Sequence, residues 1–194
     1  MLFERVNLPV RTMIKILAIS GSLRSSSTNT TLLRAMHGLA PDGLQISIYD
    51  GIGNLPYFNP ELDREIPLLP VHHWRTQLQE ADGIVFCTPE YAHGIPGVLK
   101  NALDWSVSSG EFMHKPTAVI SASPSIDGGE KANASLVQTL RVLMADLAAG
   151  STVCIPAISA KLNSQGEIVD PALTMSLQSL LNNLVEKIEF KRAS

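Results

Sequence analysis

The sequence predicts an α/β protein built on a doubly wound parallel sheet with helices on both faces, and three observations carry that expectation. Short apolar runs recur along the chain and alternate with segments of helical periodicity. The runs are nearly continuous rather than alternating, as expected of parallel strands covered on both faces. Polar, glycine-bearing loops follow several of the runs, at the edge where open α/β sheets bind ligands.

The elements follow in order. Residues 14–20, Ile-Lys-Ile-Leu-Ala-Ile-Ser, read as the first strand, and Leu32, Leu33 and Met36 place a helix over about 30–39. A second strand covers 44–50, and Gly51, Gly53, Asn54, Pro56, Asn59 and Pro60 give the loop chemistry that follows it. A helix over about 68–80 leads to a third strand, 83–88. The next helix, 96–107, begins near Pro96, whose fixed φ suits a first helical position, and Val98, Leu99, Ala102 and Leu103 keep helical spacing. A fourth strand spans 117–121, and a fourth helix runs from Glu130 to Ala149, where Gly150 stops it. Its stripe Leu136, Leu140, Leu143, Met144 and Leu147 reads as core. The fifth strand is 152–156, and a last helix extends from Pro171 to about Phe190.

A chain of 194 residues, 45% of them hydrophobic, fills one core, so residues 13–194 are expected to form one domain. Residues 1–12 read as a loosely held extension ahead of Met13, without the apolar core of a signal peptide. A net charge of -3 and a pI near 5.9 argue against a nucleic-acid surface, and no apolar run reaches membrane-spanning length. Cys87 and Cys154 both fall in strands expected to be buried, which suits core thiols in a reduced, cytoplasmic protein. No Cys/His/carboxylate cluster has ligand spacing, and the adjacent His72 and His73 suit one metal site poorly, so no metal is expected.

Two loops carry the chemistry. Ser20 to Thr30 offers hydroxyls, one amide and Arg24 ahead of a helix, a composition suited to holding a phosphate at a helix N-terminus, although an exposed loop with an N-cap would look similar. Thr88 to Ile95 hangs between the third strand and the following helix. The chain has only Gly21 where a Rossmann fingerprint needs three glycines, and it lacks a nucleotide-triphosphate loop. The remaining common doubly wound order, 2-1-3-4-5, puts its ligand at the ends of strands one and three, where both loops lie.

Gly21-Ser22-Leu23-Arg24 with Ser27 and Asn29, Pro89-Glu90-Tyr91, and Pro96-Gly97-Val98-Leu99-Lys100-Asn101-Ala102-Leu103-Asp104-Trp105 together resemble the NADPH-dependent FMN reductase family, over nearly everything after Met13. The resemblance implies a flavodoxin-like fold, noncovalent FMN, NADPH or NADH as hydride donor, a small-molecule acceptor (flavin, quinone, chromate or azo compound) and a homodimer or homotetramer. It implies that Ser22, Arg24, Ser27, Asn29 and Thr30 hold the phosphate, while Pro89, Glu90, Tyr91, Ala92, His93 and Gly94 line the isoalloxazine ring. Ser121 to Gly129, with Ser121 and Gly128 among its contacts, matches the family's third flavin-side loop. Many members carry Asn where Ala92 stands here, so any contact from that amide is lost. No side chain is expected to be catalytic, because the cofactor carries the hydride chemistry. His93 beside the ring is either a contact or a solvated bystander, and Arg24 reaches the FMN phosphate, meets the extra phosphate of NADPH or merely decorates the surface. The rival readings are a flavodoxin-type electron carrier and a flavin-free interaction module.

Overall fold

The computed structural model of the chain describes residues 13–147 and 150–193; the expected extension, 1–12, lies outside them. Five strands, β1 (Ile14–Ser20), β2 (Leu44–Tyr49), β3 (Gly83–Thr88), β4 (Thr117–Ala122) and β5 (Thr152–Ile155), form one sheet in the order β2-β1-β3-β4-β5. Every pairing is parallel, as the sequence predicts. The register matches Ser20 with Cys87 and Thr88 with Ser121, so the chain leaves β1, β3 and β4 at one level of the same edge.

Strand periodicity divides the core into two layers. Ile16, Ala18, Val85, Cys87, Ala118 and Ile120 pack on Leu32 and Leu33 of α1 (Thr28–Ala35) and Leu177, Leu180 and Leu184 of α5 (Pro171–Ala193). Leu17, Ile19, Ile84, Phe86 and Val119 pack on the other face against Trp74 and Leu78 of α2 (Leu69–Glu80), Leu99 and Leu103 of α3 (Gly97–Asp104), and Leu136 and Leu140 of α4 (Glu130–Val142). β1, β3 and β4 are therefore apolar on both sides, which explains their continuous runs.

Three boundaries differ from the sequence reading. Helix α1 begins two residues early because the Ser27 hydroxyl caps it, accepting from the Thr30 N–H at 3.3 Å, and it tightens into a 3₁₀ turn over Met36–Leu39. Pro96 is the N-cap of α3 rather than its first helical residue, with ψ at 143°. Helix α4 stops at Val142, not Ala149: Met144 turns left-handed at φ 60°, and the chain then runs beside β4, where Asp146 accepts from the Thr117 N–H and donates to the Lys115 carbonyl, both at 3.0 Å. Leu136, Leu140 and Leu143 are buried as expected, whereas Met144 is exposed. The expectation for Cys154 is also corrected. Cys87 is buried, and desolvation pushes its thiol well above the usual range, but Cys154 is exposed because β5 is a four-residue edge strand whose outward face nothing described covers.

The long connection from β2 to α2 is held by α3. Asn101 accepts from the Phe58 N–H at 2.7 Å and donates to the Pro56 carbonyl at 2.9 Å, while the fully buried Trp105 donates to the same carbonyl at 2.8 Å. Farther along, Arg75 binds Asp63 at 2.8 Å and donates to the Trp105 carbonyl at 2.6 Å, and the Ser108 hydroxyl also donates to Asp63. Burial raises the Asp63 carboxyl, but the hydrogen bonds from Ser108 and Arg75 and the guanidinium charge outweigh it, so its pKa lies below the usual value. A carboxyl lowered in the folded state stabilises above its unfolded pKa, near 4, and that stabilisation disappears as pH falls through the folded value. Asp63→Asn is expected to cost about 1–2 kcal/mol in urea unfolding at pH 7, with the difference shrinking as pH falls below the unfolded carboxyl value of about 4.

Candidate functional site

The carboxyl edge of the sheet carries three loops, after β1, β3 and β4, and the thirteen sequence-predicted residues all lie on them or at the strand and helix ends that flank them. The first loop starts at a glycine for a steric reason: a Cβ on Gly21 would stand 2.7 Å from the Thr88 hydroxyl and 3.1 Å from its Cβ. That close approach sets the first loop against the end of β3.

Within the first loop the side chains divide into two groups. Ser27 caps α1, and Thr30 pairs its hydroxyl with Ser20 at 2.8 Å. Asn29 is buried, accepting from the Cys87 thiol at 3.1 Å and donating to the Ala122 carbonyl at 3.4 Å. These three groups therefore fix the loop. The remaining groups face outward: Arg24 is exposed, and its guanidinium makes no hydrogen bond or ion pair among the described residues. The backbone N–H groups of Ser25, Ser26, Thr28 and Asn29 likewise have no acceptor among the described residues. Unspent amides at a helix N-terminus beside an unpaired guanidinium form a donor set matched to a dianionic phosphate.

The loop after β3 closes as a two-residue hairpin. Tyr91 N–H donates to the Gly94 carbonyl and Gly94 N–H to the Tyr91 carbonyl, both at 3.0 Å. Ala92 and His93 between them have φ of 49° and 61°, the pattern of a type I′ turn. Asn and Gly favour this conformation, so Ala92 occupies a turn position that either of them would adopt with less strain. Tyr91 is half-exposed, and with Leu23, Arg24, Pro96 and Val98 it lines a cleft of about 420 Å³ between the first two loops. Glu90 turns away from this cleft: one carboxylate oxygen accepts from the Ala132 N–H at 3.0 Å, and the other lies 3.3 Å from His93 Nδ1. His93 itself is exposed.

The third loop is organised by Gly128 and Asp127. Gly128 has φ 63°, and a Cβ there would stand 2.8 Å from the backbone of Ile155 and Pro156, so the loop lies directly on the end of β5. Asp127 accepts from the Ser125 hydroxyl and, at 3.3 Å, from the Gly129 N–H. These bonds, the Ser125 one foremost, hold its carboxyl below the ordinary range, with a further contribution from nearby His93. Ser121 is buried, its hydroxyl 3.4 Å from Asn133 Nδ2, and Asn133 also reaches the Val153 carbonyl at 3.3 Å. Asn133 was absent from the sequence reading. The available signal was a polar residue on the buried face of α4, three and seven positions before Leu136 and Leu140.

A doubly wound sheet in this order, with a phosphate-type donor set after β1 and an aromatic-lined loop after β3, defines a flavodoxin-like mononucleotide-binding protein. The comparisons make the class specific. Residues 14–158 match the model of the NADPH-dependent FMN reductase family. An NAD(P)H-dependent FMN reductase of Pseudomonas aeruginosa is 36% identical over 173 residues, covering 88% of this chain and 93% of that protein. A quinone reductase of Pseudomonas putida is 38% identical over 128 residues, 64% of this chain and 68% of that protein. FerB of Paracoccus denitrificans, a flavoenzyme NAD(P)H:(acceptor) oxidoreductase, superposes with a TM-score of 0.77 at 28% identity, over 91% of this chain and 98% of its own. The chain belongs to the NADPH-dependent FMN reductase family, and is an FMN-dependent NAD(P)H oxidoreductase.

Two substitutions test the geometry. Ala92→Asn is expected to raise unfolding stability by about 1 kcal/mol, read from the urea midpoint, because Asn tolerates the left-handed region better than Ala. Gly128→Ala is expected to lose about 2 kcal/mol or more, from the positive φ and the backbone overlap together, and to weaken FMN binding in fluorescence titration.

Proposed function

We propose that the chain is a quinone-directed NAD(P)H reductase of residues 13–194 acting as one FMN-binding domain, with Arg24 and the amides of Ser25, Ser26, Thr28 and Asn29 on the phosphate and Tyr91 beside the isoalloxazine ring. The observation that carries this reading is the cleft with an unpaired guanidinium at one wall and an exposed tyrosine at the other. Bound FMN supplies the redox chemistry, accepting hydride from the nicotinamide and passing two electrons to the acceptor. The protein's share is to neutralise the phosphate with Arg24 and the helix N-terminus, to fix the ring against Tyr91 and the hairpin, and to leave the opposite side open. Ser22 borders the same cleft, and its hydroxyl accepts from the backbone N–H of Arg24 at 3.3 Å, which holds the turn between them. Ser27, Asn29, Thr30 and Ser121 act by holding the loops in place.

A planar aromatic acceptor suits an open, apolar rim, and Leu23, Tyr91 and Ile126 are all exposed at the mouths of the loops. The names of relatives support quinones among the acceptors: the Pseudomonas putida protein is a quinone reductase. The electron-carrier alternative is less well supported, since the relatives are reductases and a net charge of -3 is modest for a carrier that docks through an acidic face. A homodimer or homotetramer is part of the proposal, supported by the large apolar side chains of Val107, Met113, Val142 and Met144 that stay exposed in the single chain. A cytoplasmic location is supported by two unpaired cysteines, and no described helix is long and apolar enough to cross a membrane.

The deciding measurement is the anaerobic spectrum of FMN-reconstituted protein during addition of NADPH, then of NADH, then of a benzoquinone. Loss of the visible flavin bands within seconds of nicotinamide addition, and their return with the quinone, is the expected result. Flavin that stays oxidised with both nicotinamides would replace the reductase reading with the carrier one.

A further inference from the structure

We infer that Glu90 is a positioning residue that ties the hairpin after β3 to the N-terminus of α4, so that two walls of the cofactor site move as one body; this rests on the FMN site proposed above. The family resemblance implies a ring-lining residue at this position, but the carboxylate is directed elsewhere. Only 12% of the Glu90 side chain is exposed, and both of its oxygens are engaged.

Helix α4 lacks a cap of its own. An N-cap side chain ordinarily accepts from the second or third backbone N–H of the helix. The N-cap of α4 is Gly129, at φ 80°, which has no side chain to offer. Its replacement by a capping residue is obstructed as well, because a Cβ there would strain the backbone and stand 3.3 Å from the Ser121 Cβ and 3.5 Å from the Glu90 Cβ. The third helical N–H, that of Ala132, instead binds Glu90 Oε2 at 3.0 Å, from a residue 42 positions earlier in the chain. The cap is thus supplied from a different loop. A carboxylate at this end also meets the positive end of the helix dipole.

The other oxygen works on the hairpin. Glu90 Oε1 lies 3.3 Å from His93 Nδ1, within the turn whose two central residues, Ala92 and His93, are left-handed. Neither residue favours that conformation as glycine would, so the turn gains from an external hold. Asp127 of the third loop also acts electrostatically with His93. One carboxylate therefore joins the hairpin beside Tyr91 to the first turn of α4. Removing it releases both without deleting any group directed at the cofactor.

The test compares wild type, Glu90→Ala, Glu90→Gln and Ile188→Val. The last is a core change on α5, remote from the three loops, that matches the scale of a lost cap. Amide hydrogen exchange on the cofactor-free proteins reads the strut without reference to FMN. Glu90→Ala is expected to raise exchange in residues 89–94 and 130–134 together, and Ile188→Val in neither. FMN titration by flavin fluorescence is expected to show affinity falling about tenfold in Glu90→Ala, while Glu90→Gln, which keeps an acceptor oxygen for Ala132, stays within about threefold of wild type. Exchange that rises only in 89–94, or FMN affinity in Glu90→Ala equal to that of Ile188→Val, overturns the assignment. Equal loss in Glu90→Gln and Glu90→Ala overturns it too, since charge acting on the cofactor would then be the cause. Wild type that fails to bind FMN refutes the site reading, while the exchange pattern of the cofactor-free proteins still supports or overturns the strut.

Discussion

The structure depends on the level ends of β1, β3 and β4. Parallel pairing sets Ser20 beside Cys87 and Thr88 beside Ser121, and the three loops that follow inherit that alignment. Gly21 brings the first loop onto Thr88, and Gly128 brings the third onto Ile155 and Pro156, each at a distance that a methyl group would violate. The two close approaches make the edge a single platform. The apolar layers beneath fix the strands, and the strands fix the loops.

Buried polar groups then join the loops to one another. Asn29 binds the Cys87 thiol on β3 and the Ala122 carbonyl on β4, and Asn133 binds Ser121 and the Val153 carbonyl. Each amide satisfies groups that would otherwise be buried without partners, an omission that costs about 1–3 kcal/mol per group. The same residues leave the outward donors of the first loop unspent. Side chains facing in hold the loops, while amides facing out stay free, so the edge is held in shape by the protein's own contacts.

Much of the fold was legible in the sequence. The strand runs, the loop punctuation and the absence of other nucleotide motifs led to the observed strand order. The residues named for the site fall on the three loops. Their individual roles were less legible. Asn29, Thr30 and Ser121 have the composition of ligand contacts, yet their side chains are engaged within the protein, because a hydroxyl or amide at a strand end can serve either purpose. Glu90 sits in a motif associated with the flavin ring, but its partner is 42 residues away. Asn133 carries no motif at all.

What the sequence determined by itself was whatever is periodic or local: which segments are strands and helices, which faces are apolar, and where glycine and proline break the pattern. The tertiary structure decided the matters that depend on distant partners. Helix α4 ends at Val142 because the chain beyond it pairs with the start of β4, and Cys154 is exposed because β5 is the outer strand. Spacing along a chain encodes the face on which a side chain lies, but not what the fold brings against that face.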